Sequence, residues 1–539
     1  MAVALASSND AAPSAVEKQR QRSQQVWNAR SGWDALYREA YDLVLPNRRP
    51  GGQGKTKHAV QQIFDMTGPN SAMHCAGEIQ RQIFPAATPF VCETGPLVAS
   101  RLSADEKKRW DAELNGVAQS VYPYFKAGDF DTAVHEMCTD LTIGTGVLLP
   151  MRGPSIEQPL VFMCIPQDEV AVSQDAWNRV NYVSWKRKLG REAIIEGFPR
   201  GVFTDEFRQA ARSKPYEEVD LWQDWFRTPF GTWALVVYLD KGDFVAGEQY
   251  RTQPVAVARF YRLPGEAYGR GPVLFALPTI RTANKAQELT LKAFAIQMLG
   301  IWGYRAGGTF NPDTVRVGPG EFWPMQSTGG VLGPDAMRLD TASGRVDLAR
   351  LVIPQLQTQI REALLDTRIF DDGGTPPSAS EMALRAAQNA KVHLGAYGRL
   401  NRETVAVIVP RAMEILNEWR LLPNLMTFNE LLMSMYINSP MAAALKADEL
   451  SASVNYWQLT ASVVGPERVP EKISEARFLD RARRTMLVPP DIATTPEEEK
   501  AAIAALQQQR ELAVLAEGTV KAAPQIAGAL LPPAEKMAA

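Results

Sequence analysis

The chain has 539 residues, of which 45% are hydrophobic and 22% charged, and its formal net charge is −2. That balance excludes wholesale disorder, and near-neutrality excludes a broad basic surface that wraps nucleic-acid phosphates tightly. Cys75, Cys92, Cys138 and Cys164 form no CxxC pair, which excludes a disulfide framework and fits free thiols in a reducing compartment.

Residues 1–13 are small and polar and are expected to be disordered. They lack the basic region and apolar core of a secretory signal, and no apolar run approaches the roughly 20 residues that cross a bilayer. A soluble, non-secreted protein is expected. Val26, Trp27, Trp33, Leu36, Tyr37, Tyr41 and Val44 recur at helical spacing and predict a helix from about Ser14 to Leu45. The stretch PNRRPGGQGKTKH (46–58) reads as a loop. Helical patterns follow over 64–85 and about Ala104–Ala127, and a further helix ends at Glu136–Thr142, before Gly144-Thr-Gly146.

Between Gly146 and Leu263 the texture becomes β-rich: GVLLPM, PLVFMCI, EVAVS, VNYVSWKRK, EEVDLWQDW, TWALVVYLD and VAVARFYRL, with a hairpin turn at LDKGDF. The spacing predicts a largely antiparallel sheet flanked by helices, so the fold class is α+β and predominantly helical. GEAYGRGP (265–272) then leads into a helix to about Gly300. A Gly/Pro/Trp-rich insert with short strands such as Gly329–Leu332 covers Ile301–Gly344, and a second helix runs from about Arg345 to Phe370. The loop DDGGTPP (371–377) precedes a capping box, Ser378 with Glu381. The helix it opens reaches Leu394 and continues to Leu421, with interruptions at Gly395, Gly398 and Pro410. Most of the remainder is helical, most clearly after Thr495-Pro496.

No catalytic constellation emerges. Gly54-Lys55-Thr56 looks like the end of a phosphate-binding loop, but the glycine needed five residues earlier is Arg49, and no central strand precedes it. The glycines of GEAYGRGP do not match GxGxxG. His58, His74, His135 and His393 form no HExxH, there is no GxSxG, and His135 with Cys138 lacks two ligands for zinc. The expectation is a non-enzyme with no cofactor and no metal.

The helix–insert–helix unit stands out mechanically. Each helix is roughly 40 Å long at ~1.5 Å per residue. On the first, Arg281, Lys285, Glu288 and Lys292 form one stripe opposite Ile280, Ala283, Thr290, Leu291, Phe294 and Met298. On the second, Arg350, Gln357, Arg361 and Arg368 lie opposite Leu348, Val352, Leu356 and Ala363. Pro278 and Pro354 are expected to kink or delay the helices. Gly269 and Gly271 are expected to supply unusual backbone angles, and Pro272 to start the first helix. On the residues alone, a plain solvated helical hairpin also accounts for the stripes.

Five collinear stretches carry a resemblance: TKHAVQQIFDMTGPNSAMHCAGEIQRQIFPAATPF, HEMCTDLTIGTGVLLP, GEAYGRGPVLFALPTIRTANKAQELTLKAF, SASEMALRAAQNAKVHLGAYGRLNRETVAVIVPRAMEIL and DIATTPEEEKAAIAALQQQ. In this order the chain resembles, from about residue 25 to 515, the portal or head-to-tail connector proteins of short-tailed phages (podoviruses of the autographivirus type). The resemblance implies the phage portal fold: a disordered arm (1–24), a wing (25–264), stem helices (265–300 and 345–369) around a clip (301–344), a tunnel loop (370–377), a long wing/crown helix (378–422), and a crown with a possible barrel (423–539). It implies a homo-oligomeric ring, usually of twelve subunits, with double-stranded DNA passing through the channel. Arg281, Lys285, Glu288, Lys292, Arg350, Arg361 and Arg368 become channel-lining candidates. Phe370, Asp371, Asp372, Gly373, Gly374 and Thr375 form the tunnel loop, whose acidity departs from a basic grip on DNA. The implied partners are the terminase motor, scaffolding and major capsid proteins and a tail adaptor. The implied place is the virion vertex, after assembly in the bacterial host cytoplasm, with no membrane. The alternatives are another ring-forming adaptor or capsid component, or a nucleotide-binding enzyme using Gly51–Thr56.

Overall fold

The aromatic pattern near the N-terminus forms helix α1 (Ala12–Val44) in the computed structural model. The structure describes residues 12–48, 62–84, 90–95, 98, 100–240, 242–299, 302–304, 336–338, 346–366, 396–422, 433–437, 440–465, 468, 472–485, 502, 504 and 505. Helix α1 starts well inside the segment 1–24 expected as a disordered arm. The reason is tertiary: the buried Ser23 hydroxyl bonds Ser184 at 2.7 Å and Asp224 at 3.4 Å, so the first turns are held against a sheet. The capping box at 378–381, the Gly51–Thr56 loop and the Thr495 helix start lie outside the described residues.

In chain order there follow α2 (Thr67–Ile83), β1 (Phe90–Thr94), α3 (Ala104–Ala127), α4 (Phe130–Ile143), β2 (Thr145–Arg152), β3 (Leu160–Ile165), β4 (Val170–Gln174) and β5 (Val180–Gly190). Next come α5 (Arg191–Gly197), α6 (Asp205–Ser213), β6 (Glu218–Arg227), β7 (Trp233–Leu239), β8 (Phe244–Tyr250) and β9 (Ala256–Arg259). The rest is α7 (Pro272–Leu299), β10 (Trp302–Tyr304), β11 (Ala336–Arg338), α8 (Val346–Ala363), α9 (Val405–Glu418), β12 (Met433–Ile437), α10 (Pro440–Val464) and α11 (Glu475–Thr485). The chain divides into two units, Met1–Phe84 with Tyr124–Leu421, and Pro85–Pro123 with Leu422–Ala539.

In the first unit β4 to β8 form an antiparallel meander, and β2 pairs with β3 on one side and β9 on the other, both antiparallel. The α+β expectation holds, and each β-rich run of the sequence contributes a strand, although VAVARFYRL does so only over Ala256–Arg259. The inner strand β7 reads WALVVYL because both of its faces are covered. Leu235, Val237 and Leu239 join the main core with Trp185 and Trp225, together with Tyr37, Tyr41 and Val44 of α1. The opposite face meets the N-terminal half of α1 through Val26, Trp27, Ala171, Tyr182 and Phe226. Three elements lie outside the runs read from the sequence. Helices α5 and α6 each bury a single residue, Ile194 and Ala211, and β8 is an edge strand buried only at Val245.

The turn at LDKGDF is a hairpin in which Gly242 has φ 89° and donates to the Leu239 carbonyl at 2.8 Å. Pro410 does not interrupt its helix but lies inside α9. The break falls instead at Thr404, whose hydroxyl turns back to the Leu400 carbonyl at 2.6 Å.

Under α1 sits Asp224, fully buried, accepting from Tyr238 Oη at 2.9 Å. Burial pushes its carboxyl from the ordinary 3.8 up to about 6, opposed by the surrounding hydroxyls, of which Tyr238 and Ser23 lie within hydrogen-bond distance. A folded pKa above the unfolded one means that this group's stabilisation is complete below pH 3.8 and is lost as the pH rises through 6. The loss amounts to about 3 kcal/mol at neutral pH. Asp224→Asn is therefore expected to stabilise the protein at pH 8 by about 1–3 kcal/mol and to change little at pH 4. Urea unfolding at the two pH values checks it, and equal effects at both would count against a buried ionised carboxylate.

In the second unit, β1 pairs antiparallel with β12. Asp111 accepts from the Thr94 amide at 2.7 Å and its hydroxyl at 2.8 Å. Helix α3 begins on a capping box: the Ser103 amide donates to Glu106 at 2.9 Å, and the Glu106 amide donates to Ser103 Oγ at 3.3 Å. Trp457 of α10 and Phe478 of α11 pack with ring centroids 4.7 Å apart.

Candidate nucleic-acid interface

Helix α7 starts where two glycine motifs cross. The backbone of Gly269-Arg270-Gly271 lies directly on that of Ile143-Gly144-Thr145. The Gly271 amide donates to the Ile143 carbonyl at 2.8 Å, the Gly269 amide to Thr145 Oγ1 at 2.9 Å, and Tyr37 Oη to the Gly269 carbonyl at 2.7 Å. A Cβ on Gly271 would overlap the Thr142 carbonyl and stand 2.6 Å from the Ile143 carbonyl carbon, and one on Gly269 would overlap the Gly144 oxygen. This corrects the expectation of unusual backbone angles. The left-handed residue in this segment is Gly265, with φ 90°, whereas Gly269 and Gly271 are glycines because another backbone approaches too closely for a side chain. Pro272 is the first residue of α7, as expected.

Along α7, Val273, Ala276, Leu277, Ile280 and Ala283 are buried in the core. Past Ala283 no described side chain of the helix is fully buried, and Leu291, expected on the packed side, is 47% exposed. The helix leaves the core at that point. At the exit, Asn284 clamps an extended segment: its Oδ1 accepts from the Phe64 amide at 2.7 Å and the Asp65 amide at 3.1 Å, and its Nδ2 donates to the Gln62 carbonyl at 2.9 Å. Asp65 in turn accepts from the Thr67 amide and hydroxyl at 2.9 and 2.7 Å, starting α2.

Helix α8 packs against α7, and β10 and β11 between them pair antiparallel. Its buried residues are Ile360 and Leu364, with Leu356 partly covered. The expected apolar face is corrected: Val352 is exposed, as is Ala363. Gln357, expected in the polar stripe, points inward, its Nε2 3.5 Å from Asp65 Oδ1. Helix α8 packs on both α7 and α2, and those neighbours select a face other than the one that apolar counting selects.

Helix α8 ends at Ala363, earlier than the expected Phe370. A Schellman turn stops it, with the Asp366 amide donating to Arg361 O at 2.9 Å, the Leu365 amide to Glu362 O at 3.2 Å, and Leu365 at φ 58°. Asp366 then fixes the end on α2 by accepting from Ser71 Oγ at 2.8 Å, with His74 Nε2 3.7 Å away.

The charged stripe is real on α7. Lys285 Nζ lies 2.9 Å from Glu288 Oε2, Lys292 Nζ 2.5 Å from Glu288 Oε1, and Arg281 Nη2 2.5 Å from Glu39 Oε1 of α1. Arg361 is half-buried on α8. The side chain of Arg350, all of Arg368 and the loop residues Phe370 to Thr375 lie outside the described residues. Sequence reasoning missed Asn284, Asp65 and Asp366. Each is an ordinary polar residue whose partner lies hundreds of positions away, and no local signal marks it.

No catalytic arrangement of nucleophile, imidazole base and orienting group forms among the described residues. Ser71, His74 and Asp366 have the composition of a triad, but the serine donates to the carboxylate and not to the imidazole, so its hydroxyl is not activated. Burial pushes the Cys75 thiol up to about 12, which leaves it inert. His135 bonds Gln80 at 2.9 Å, and no metal-binding cluster occurs among the described residues. No described helix is long and apolar enough to cross a membrane.

What the helices present is shape and patterned charge on a firmly anchored pair, the equipment of an assembly component. A family model described as bacteriophage head to tail connecting protein matches residues 16–493. The chain belongs to that family, as a structural portal protein of the phage head–tail junction and not an enzyme. No curated protein matches it. Among solved structures, it is similar to a chain of the neck of an empty GTA particle, with 14% identity over 82% of this chain and 96% of that chain and a TM-score of 0.34. It is also similar to a chain of the native gene transfer agent virion, with 15% identity over 82% and 96% and a TM-score of 0.33.

Proposed function

We propose that copies of this chain close into a ring, of twelve subunits on the family resemblance, at one vertex of the phage head, and that double-stranded DNA passes through its centre during packaging and ejection. In this reading residues 25–264 form the wing, α7 and α8 the stem, 301–344 the clip that meets motor and tail adaptor, 370–377 the tunnel loop and 423–539 the crown. The capsid and scaffolding proteins would surround the ring during assembly in the host cytoplasm. One observation carries the stem assignment: the two packed helices are held at one end by Asn284, Asp65 and Asp366, while α7 runs on past the core with its charges on one narrow stripe.

A ring repeats each such charge into a belt, and a cyclic assembly needs two different complementary faces per subunit, which a large multi-part chain has room to supply. DNA has to slide, so sparse and largely paired charge suits the channel better than a basic groove. Negative-stain images of the purified full chain are expected to show closed rings with a central hole. Monomers or dimers alone, over a range of concentrations, would overturn the ring. Reversing Lys285 and Lys292 to glutamate is expected to lower DNA retention and packaging, and unchanged packaging would place the stripe on the outer surface.

A further inference from the structure

Each of the three cations of the α7 stripe has a carboxylate within 2.9 Å: Lys285 and Lys292 share Glu288, and Arg281 has Glu39. The layering within the triad is uneven. The lysine side chains are 62% and 63% exposed, while Glu288 between them is 17% exposed. The ammonium groups therefore form the outer layer, with one carboxylate tucked beneath both. Lys285 and Lys292 hold the Glu288 carboxyl below the usual carboxylate range, so it stays ionised.

We propose that Glu288 is a built-in counterion that sets how weakly the stem holds DNA. The proposal rests on the reading of this stripe as channel-facing and adds to it the residue that tunes adhesion. Three groups with charges +1, −1 and +1 present a net +1 per subunit where two free lysines would present +2. Exposed helical pairs of this kind are weak, so a lysine can leave Glu288 for a passing phosphate and return. The fixed carboxylate meanwhile repels the same phosphate within the Debye length of roughly 8–10 Å. The result is contact that is made and broken easily, which a sliding polymer requires. Phosphate contacts that release counterions would instead accumulate around the ring and stall it.

The test uses full-length assembled rings and a fluorescent duplex of about 30 base pairs, with binding followed by anisotropy between roughly 50 and 200 mM salt. Glu288→Gln is expected to tighten binding by about tenfold per added phosphate contact at low salt and to steepen the salt slope by about 0.9 per contact. Adding Lys285→Gln and Lys292→Gln to it should return the slope to wild type or below. If Glu288→Gln binds like wild type while the double lysine variant binds more weakly, the stripe meets DNA and the counterion role is wrong. If none of the variants changes binding, both the role and the channel-facing stripe fall. A purely structural role would lower helix stability and leave the salt slope where it is. Should Glu288→Gln not assemble, Glu288→Ala in the same assay decides by the same slopes.

Discussion

Replacing Gly271 by alanine is expected to destabilise the protein by at least about 3 kcal/mol, near the top of what over-packing costs. The added Cβ would fall on the Thr142 carbonyl and within 2.6 Å of the Ile143 carbonyl carbon. Both are backbone atoms at the junction of α4 and β2, and they cannot rotate aside as a side chain would. Relief requires the start of α7 to lift from that junction, which breaks the 2.8 Å bond from the Gly271 amide to Ile143 and disturbs the Tyr37 bond to Gly269. The informative control is Gly265→Ala. Gly265 has φ 90° but nothing within 4 Å of an added Cβ, so its cost is the backbone strain alone, about 1 kcal/mol. Urea midpoints of the two variants rank the causes. If Gly265→Ala proved the more damaging, backbone angle and not close approach would govern this junction. Gly271→Ala is also expected to abolish ring formation in negative stain, because it displaces the whole of α7.

The second large effect is expected at Arg259, which is 2% exposed at the end of β9. Its guanidinium lies 2.5 Å from Glu403 Oε1, its Nε donates to the same oxygen at 3.1 Å, and its backbone amide donates to Glu403 Oε2 at 2.9 Å. The pair ties the segment just before α9 onto the three-stranded sheet. Arg259→Met removes the cation and strands a carboxylate whose side chain is only 13% exposed. A loss of about 3–5 kcal/mol is expected, most of it the cost of the unpaired buried charge. Arg259→Met with Glu403→Gln is expected to recover much of that loss, since glutamine keeps an acceptor for the residue 259 amide and carries no charge. Equal midpoints for the single and double variants would show that packing of the arginine stem, and not charge pairing, stabilises this contact.

Helices α7 and α8 show how far local pattern reaches. The start of α7 at Pro272 and the burial of Ile280 and Ala283 were legible, because proline at a first helical position and an i, i+3 apolar step are local facts. The buried face of α8 was not. Leu348, Val352, Leu356 and Ala363 make an acceptable stripe on paper, yet Ile360 and Leu364 are the buried residues and Gln357 faces Asp65. An amphipathic helix with apolar residues on more than one side has several candidate faces, and the neighbour it meets selects one. The stripe Arg281–Lys285–Glu288–Lys292 was legible as a stripe, but its pairing was not fully so. Glu288 could be matched to Lys285 and Lys292 by spacing, whereas Glu39 is 242 positions from Arg281.

By itself, then, the sequence determined most of the long helices and the main sheet strands in their order, the antiparallel character of that sheet, the proline start of α7 and the collinear likeness to head–tail connectors. All of these depend on neighbours within a few residues or on linear order. The tertiary structure alone decided why Gly269 and Gly271 are glycines, which face of α8 is inward, and that Asn284, Asp65 and Asp366 anchor α7 and α8. Those outcomes depend on backbone and polar groups brought together from distant positions, and hydrophobic periodicity carries no record of a hydrogen-bond partner 220 residues away, as Asn284 has in Phe64.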